Sequence, residues 1–196
     1  MSFAQNEDLQ LWGSLEFSKK VNSKLRFELR EQIRWADSLS QYNKNFTEIG
    51  VRYSIRKAHS LTLNTRVVNE LDEDKYVRMN VDFSSDYNLK NKLFSLKQRL
   101  RFQQSWDSFG DRDKTHFRVK WGISLERKLI NPYLSHELYW KLATTNEFNQ
   151  RRSTLGISWS MMDKLKMKVF LRSQKEFNNK NPDQLQIIGF GVHYKI

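Results

Sequence analysis

The chain has 196 residues, no cysteine, a formal net charge of +12 and a mean hydropathy of −0.76. That length fits one domain. The absence of thiols excludes a disulfide framework and thiolate metal sites, and no run approaches the ~18 apolar residues of a membrane helix.

The chain opens Met1-Ser2-Phe3-Ala4-Gln5, with Ser2 and Ala4 spaced as in a signal-peptidase site. Residues 1–4 are expected to be a signal-peptide remnant, the other reading being an ordinary polar start, and residues 5–196 a single domain. From there the repeating signal has period two. Strands are predicted near Leu9–Lys19, Lys24–Ala36, Thr47–Arg56, Leu61–Glu70, Tyr76–Tyr87 and Leu93–Trp106. Further strands follow near Thr115–Arg127, Tyr133–Leu142, Arg151–Met161, Leu165–Lys175 and Gln184–Ile196. In the second, Leu25, Phe27, Leu29, Ile33 and Trp35 alternate with Arg26, Glu28, Arg30, Gln32 and Arg34. Most reach the ~9–11 residues that a tilted strand needs to cross a bilayer.

The predicted connections alternate too. Short turns fall at Val21–Ser23, Lys57–Ser60, Asn88–Lys90, Lys128–Asn131 and Met162–Lys164. Longer polar loops fall at Asp37–Asn45, Leu71–Lys75, Asp107–Lys114, Ala143–Gln150 and Glu176–Asp183. Short periplasmic turns and longer extracellular loops are the habit of outer-membrane barrels.

Alternation alone leaves open whether the apolar face meets lipid or a core. The aromatics decide for lipid. Trp35, Trp106 and Trp140 sit by the long-loop ends, and Tyr53, Tyr87, Trp159 and Tyr194 by the short-turn ends, forming a double girdle. The chain closes Ile188-Gly189-Phe190-Gly191-Val192-His193-Tyr194-Lys195-Ile196, apolar at alternate positions to the last. This resembles the C-terminal signal read by the barrel-assembly machinery, so that machinery, membrane lipid and lipopolysaccharide are expected partners. The expected fold is an all-β, transmembrane, antiparallel up-and-down barrel of about 10–12 strands in a bacterial outer membrane. Eleven strands conflict with the even numbers of bacterial barrels. Either one predicted strand lies outside the wall, or a twelfth is hidden. Glu31 and Gln98 fall on the apolar face; a bulge turning them inward, or a partner, would explain them.

Assigning the polar faces to the lumen gives twelve anion-facing candidates: Arg30, Arg34, Arg52, Arg66, Arg78, Arg99, Arg101, Arg118, Lys120, Arg152, Lys168 and Arg172. Arg26, Arg56, Lys97, Lys141, Lys166 and Lys195 join them, against the acids Glu28, Glu48, Glu70, Asp82, Asp86, Glu126 and Glu137. Seven acids cannot neutralise eighteen bases. Arginine grips carboxylate and phosphate through paired donors, so a narrow channel for small anionic solutes is one expectation. A plugged structural or partner-binding barrel, a component of a larger outer-membrane complex, is the other. A lipid-active enzyme is disfavoured. Ser135-His136-Glu137 is the tightest cluster around a histidine, and neighbours on a strand face opposite ways, so no catalytic residue is assigned. No metal site, nucleotide loop or cofactor is expected. Nucleic acid is discounted because aromatics and arginines lie on opposite faces.

The sequence also resembles a family of small Bacteroidota outer-membrane barrels of unknown function. The resemblance rests on Leu11-Trp12, Lys19-Lys20 followed by Leu25–Arg34, and Asn131-Pro132-Tyr133 with Glu137-Leu138. It extends through Thr154-Leu155-Gly156 and Ile187-Ile188-Gly189 to Tyr194-Lys195. It implies a barrel and an outer-membrane location, and supplies no activity and no site residues.

Overall fold

Strands with one apolar and one polar side make a two-faced sheet, and such a sheet removes its unpaired edges by curling shut. The computed structural model describes residues 6–71, 75–89, 93–106, 112–127, 129–142, 146–178 and 182–196. Its strands are β1 (Asn6–Lys20), β2 (Leu25–Ala36), β3 (Gln41–Arg56), β4 (His59–Glu70), β5 (Tyr76–Leu89) and β6 (Phe94–Trp106). They continue as β7 (Arg112–Leu125), β8 (Ile130–Leu142), β9 (Glu147–Met162), β10 (Leu165–Glu176) and β11 (Asp183–Lys195). All eleven lie in one closed wall, in chain order.

The wall is apolar outside and polar inside. Ile49, Leu63, Leu155 and Leu171 are exposed on its outer face, whereas Asn64, Asn80, Thr62 and Ser105 are buried on its inner one. A water-soluble barrel sorts its side chains the other way; only lipid rewards this arrangement.

The odd strand number is accommodated at closure. Successive connections reverse the chain, so the first and eleventh strands run the same way, and β1 pairs with β11 in parallel from Asn6↔Asp183 to Ser18↔Lys195. Every other pair is antiparallel. The choice between a strand outside the wall and a hidden twelfth is therefore corrected. A parallel ladder satisfies backbone groups with evenly spaced, slanted bonds, and the nineteen-stranded mitochondrial barrel shows that a membrane accepts an odd count.

The strands also run further than expected. β3 begins at Gln41 rather than Thr47, which reduces the predicted loop Asp37–Asn45 to residues 37–40. Ser40 N–H donates to Asp37 O at 3.1 Å, and Asp37, Ser38 and Leu39 take φ of 51°, 54° and 72° to make that turn. Connections span two to four residues at one end of the barrel and four to six at the other, so the asymmetry is real and small.

No bulge turns Glu31 or Gln98 inward. The ladders run unbroken through Leu15↔Glu31↔Thr47 and Ser85↔Gln98↔Trp121, leaving both on the outer face. Two inward aromatics cover glycines on the neighbouring strand. Phe170 lies opposite Gly189 and Tyr133 opposite Gly156, where an added Cβ would run into the ring in each case.

Candidate functional site: a basic lumen closed at one end

Because every second residue points inward, all twelve predicted cations reach the lumen. The structure sorts them into two groups. Eight are held by carboxylates: Arg30 and Lys168 by Glu16 at 3.4 and 2.7 Å, Arg52 by Glu28 at 3.2 Å, and Arg66 by Glu48 at 2.6 Å. Arg101 grips Asp82 through two bonds of 2.6 Å. Glu137 takes three arginines, Arg99 at 2.6, Arg118 at 2.8 and Arg152 at 3.6 Å. One carboxylate for three guanidinium groups leaves that cluster net positive.

Arg34, Arg78, Lys120 and Arg172 have no carboxylate within salt-bridge distance among the described residues. Neutral groups hold three of them. Arg34 lies over Trp12, Arg78 donates to Ser105 Oγ at 3.2 Å and Tyr76 Oη at 3.3 Å, and Arg172 donates to Thr154 Oγ1 at 2.9 Å.

The half of the lumen nearer the longer connections is filled. Phe46, Val68, Trp12, Tyr139 and Ile187 are buried there, inward among the basic residues. Arginines stack on the rings: Arg66 lies 3.7 Å from the Phe46 centroid and Arg118 4.1 Å from that of Tyr139. Tyr139 Oη also accepts a 2.7 Å bond from Arg118. This Arg–aromatic layer packs the lumen on that side.

The other half is open. A cavity of about 820 Å³ reaches to the short-turn end, with Arg30, Arg52, Arg99, Lys120, Lys168 and Arg172 in its wall and Glu16, Asp86 and Glu126 among its acids. Of the twelve candidates in this wall, Lys120 and Arg172 have no carboxylate within salt-bridge distance among the described residues, and Arg26, Arg56 and Lys166 nearer the mouth have none either.

Sequence reasoning missed the inward aromatics and Glu16. Their signal was a break of phase, since Trp12 stands between Gln10 and Ser14, Phe46 between Lys44 and Glu48, and Phe170 between Lys168 and Arg172. The seven girdle residues lie near strand ends, Trp35, Trp106 and Trp140 at the longer connections and Tyr53, Tyr87, Trp159 and Tyr194 at the shorter. Trp140 packs on Phe148 with ring centroids 4.2 Å apart. Ser135 and His136 point to opposite faces, and His136 instead meets Ser153 outside the wall, Nδ1 to Oγ at 2.9 Å.

Residues 9–186 match the family described as protein of unknown function (DUF2490). No curated protein matches. Among solved structures, Pseudomonas aeruginosa OccK11 (OpdR) is similar at 13% identity and a TM-score of 0.40, over 79% of this chain and 51% of that one. The present chain thus spans about half its length. A membrane protein solved in a study of in-meso crystallisation is similar at 13% identity and a TM-score of 0.42, over 84% and 69% of the two chains.

Proposed function

We propose that this chain, which belongs to the DUF2490 family of proteins of unknown function, is an outer-membrane barrel that takes small anions into its lumen from the periplasmic side. The apolar outer wall with aromatics at both rims supports the membrane location, and the shorter connections mark the periplasmic end. One observation carries the ligand class. The open vestibule ends on Lys120 and Arg172, two cations without a carboxylate partner, beside a Glu137 cluster that is already net positive. Fixed positive charge inside a low-dielectric wall concentrates anions, and guanidinium groups suit carboxylate and phosphate.

The Arg–aromatic layer makes this a vestibule closed towards the cell exterior. A second reading, a narrow anion-preferring conduit, is favoured by the way Arg34 is held: a ring restrains it and no carboxylate locks it. Two measurements on the refolded protein separate these readings. Titration calorimetry with inorganic phosphate is expected to show binding that the double change Lys120→Gln, Arg172→Gln weakens at least tenfold. Unchanged binding in that variant removes the vestibule as the site. Planar bilayers in KCl are expected to show no steady open current. A steady, anion-preferring current supports the conduit, and one without ion preference overturns both readings.

A further inference from the structure

Two ionisable side chains stand on the outer, apolar wall at mid-height, where lipid chains solvate neither. Glu31 lies in the middle of β2, on the outward phase of Leu29 and Ile33, and faces Leu15 and Thr47 across the ladders. Among the described residues its carboxylate has no hydrogen bond or ion pair. His136 lies in the middle of β8, on the outward phase of Leu134 and Leu138. Its Nδ1 meets Ser153 Oγ at 2.9 Å and its ring tilts against Trp121 at 5.1 Å. The same register row continues through Trp121 to Gln98 and Ser85, beside an outward notch of about 190 Å³. The wall therefore carries a lone carboxylate on one side and a hydrogen-bonding inlay on another.

We infer that these are the two halves of one contact, and that copies of this chain associate side by side in the membrane, the β2–β3 face of one against the β7–β9 face of the next. The partner is identified by depth and chemistry. Every copy inserts in the same orientation, so Glu31 and His136, each at the centre of its strand, meet at one depth in any lateral pair. A carboxylate has only acceptors. In the tautomer in which Ser153 Oγ donates to Nδ1, the imidazole carries its proton on Nε2 and presents it as a donor, which is the form this contact requires. An acyl chain offers neither group a partner.

The geometry also fixes the kind of assembly. β2 and β8 are five strands apart by the shorter way around eleven, nearly opposite. The contact joins unlike surfaces, so it propagates into rows or large rings rather than closing as a two-fold dimer.

The inference rests on the outer wall facing lipid, and its test keeps the two apart. The sequence has no cysteine, and β2 and β8 both run from the shorter connections to the longer, so Leu29→Cys and Leu134→Cys, each two residues to the short-connection side, can be introduced beside the contact with Glu31 and His136 intact. Expressed in a bacterial outer membrane and oxidised, the double variant is expected to form a ladder of cross-linked species, and each single variant none. Faster migration of the unboiled protein from the membrane fraction checks folding and insertion separately. In the double-cysteine background, Glu31→Gln is expected to abolish most of the ladder, and exchanging the pair as Glu31→His with His136→Glu to restore it. Inserted protein without a ladder, a ladder indifferent to Glu31→Gln, or cross-linking within single variants each overturns the inference.

Discussion

The guanidinium of Arg34 lies 3.7 Å from the ring centroid of Trp12, and no carboxylate of the described residues reaches it. Trp12 is itself oriented by a 2.9 Å bond from its Nε1 to Gln10 Oε1, and Arg172 and Arg152 approach the same ring at 5.1 and 5.7 Å. A buried indole thus restrains cations that acidic side chains would otherwise have to neutralise, and such contacts are worth about 2 kcal/mol when desolvated.

Replacing that ring tests both the packing and the closure. Trp12→Ala removes a side chain that is only 4% exposed. It is expected to cost about 3–5 kcal/mol, the usual range for a buried aromatic, read as a lower urea midpoint of the refolded barrel. The same variant frees Arg34, so intermittent anion-preferring current in planar bilayers is expected where the parent shows none. A loss below about 1 kcal/mol would mean that the ring is not packed as described.

Glu137 is expected to be the least replaceable acid in the lumen. It is buried and receives Arg99, Arg118 and Arg152. Glu137→Gln keeps the shape but leaves three guanidinium groups without their counter-charge, a situation that costs about 3–5 kcal/mol when one partner of a buried pair is removed. Asp86 pairs with Lys97 at 3.8 Å, with both side chains more than half exposed. Asp86→Asn is therefore expected to shift stability by less than about 1 kcal/mol. Equal effects of the two substitutions in urea unfolding would contradict the burial difference.

Much of this architecture was legible in the one-dimensional pattern, for a physical reason. Period two fixes which side of the wall a residue takes, so Arg30 to Arg172 could be assigned inward without knowing any neighbour. What could not be read were relationships between strands. That three arginines converge on Glu137, or that Glu16 bridges Arg30 and Lys168, depends on how far each strand is staggered against the next. That stagger belongs to the barrel as a whole. Trp12, Phe46 and Phe170 were overlooked because an apolar residue on the polar phase reads as noise until its arginine partners are placed. Eleven strands already imply a parallel first and last pair, and that outcome was set aside because even strand counts are a habit of bacterial barrels, though no requirement of the ladder.

Gly189 is expected to tolerate no side chain while Phe170 keeps its ring. A Cβ there would run into the Phe170 ring at Cζ. Both residues face inward, so the ring cannot escape through the wall. Gly189→Ala is expected to destabilise by about 1–3 kcal/mol through overpacking. Adding Phe170→Leu should recover part of that loss, because the clash then disappears and only the smaller side chain's lost contacts remain. Additive losses in the double variant would show that the ring does not lie over the glycine.

The parallel closure can be checked directly by covalent chemistry. Leu11 and Ile188 are Cα partners across the β1–β11 seam, both on its outer face. Neighbouring strands stand ~4.8 Å apart, within the ~4.4–6.8 Å over which a disulfide joins Cα atoms. Leu11→Cys with Ile188→Cys is therefore expected to oxidise readily in the folded barrel and to change the mobility of the boiled, unreduced chain. Residue parity provides the control. Leu11→Cys with Ile187→Cys puts the second thiol on the lumen side, because Ile187 is buried inward, and is expected to stay reduced. If the seam were instead filled by a strand from elsewhere, β1 and β11 would be separated by two ladder spacings, about 9–10 Å, and neither pair would close. Oxidation of the first pair alone establishes both the neighbour and the register, because a slip of one residue reverses which thiol faces its partner.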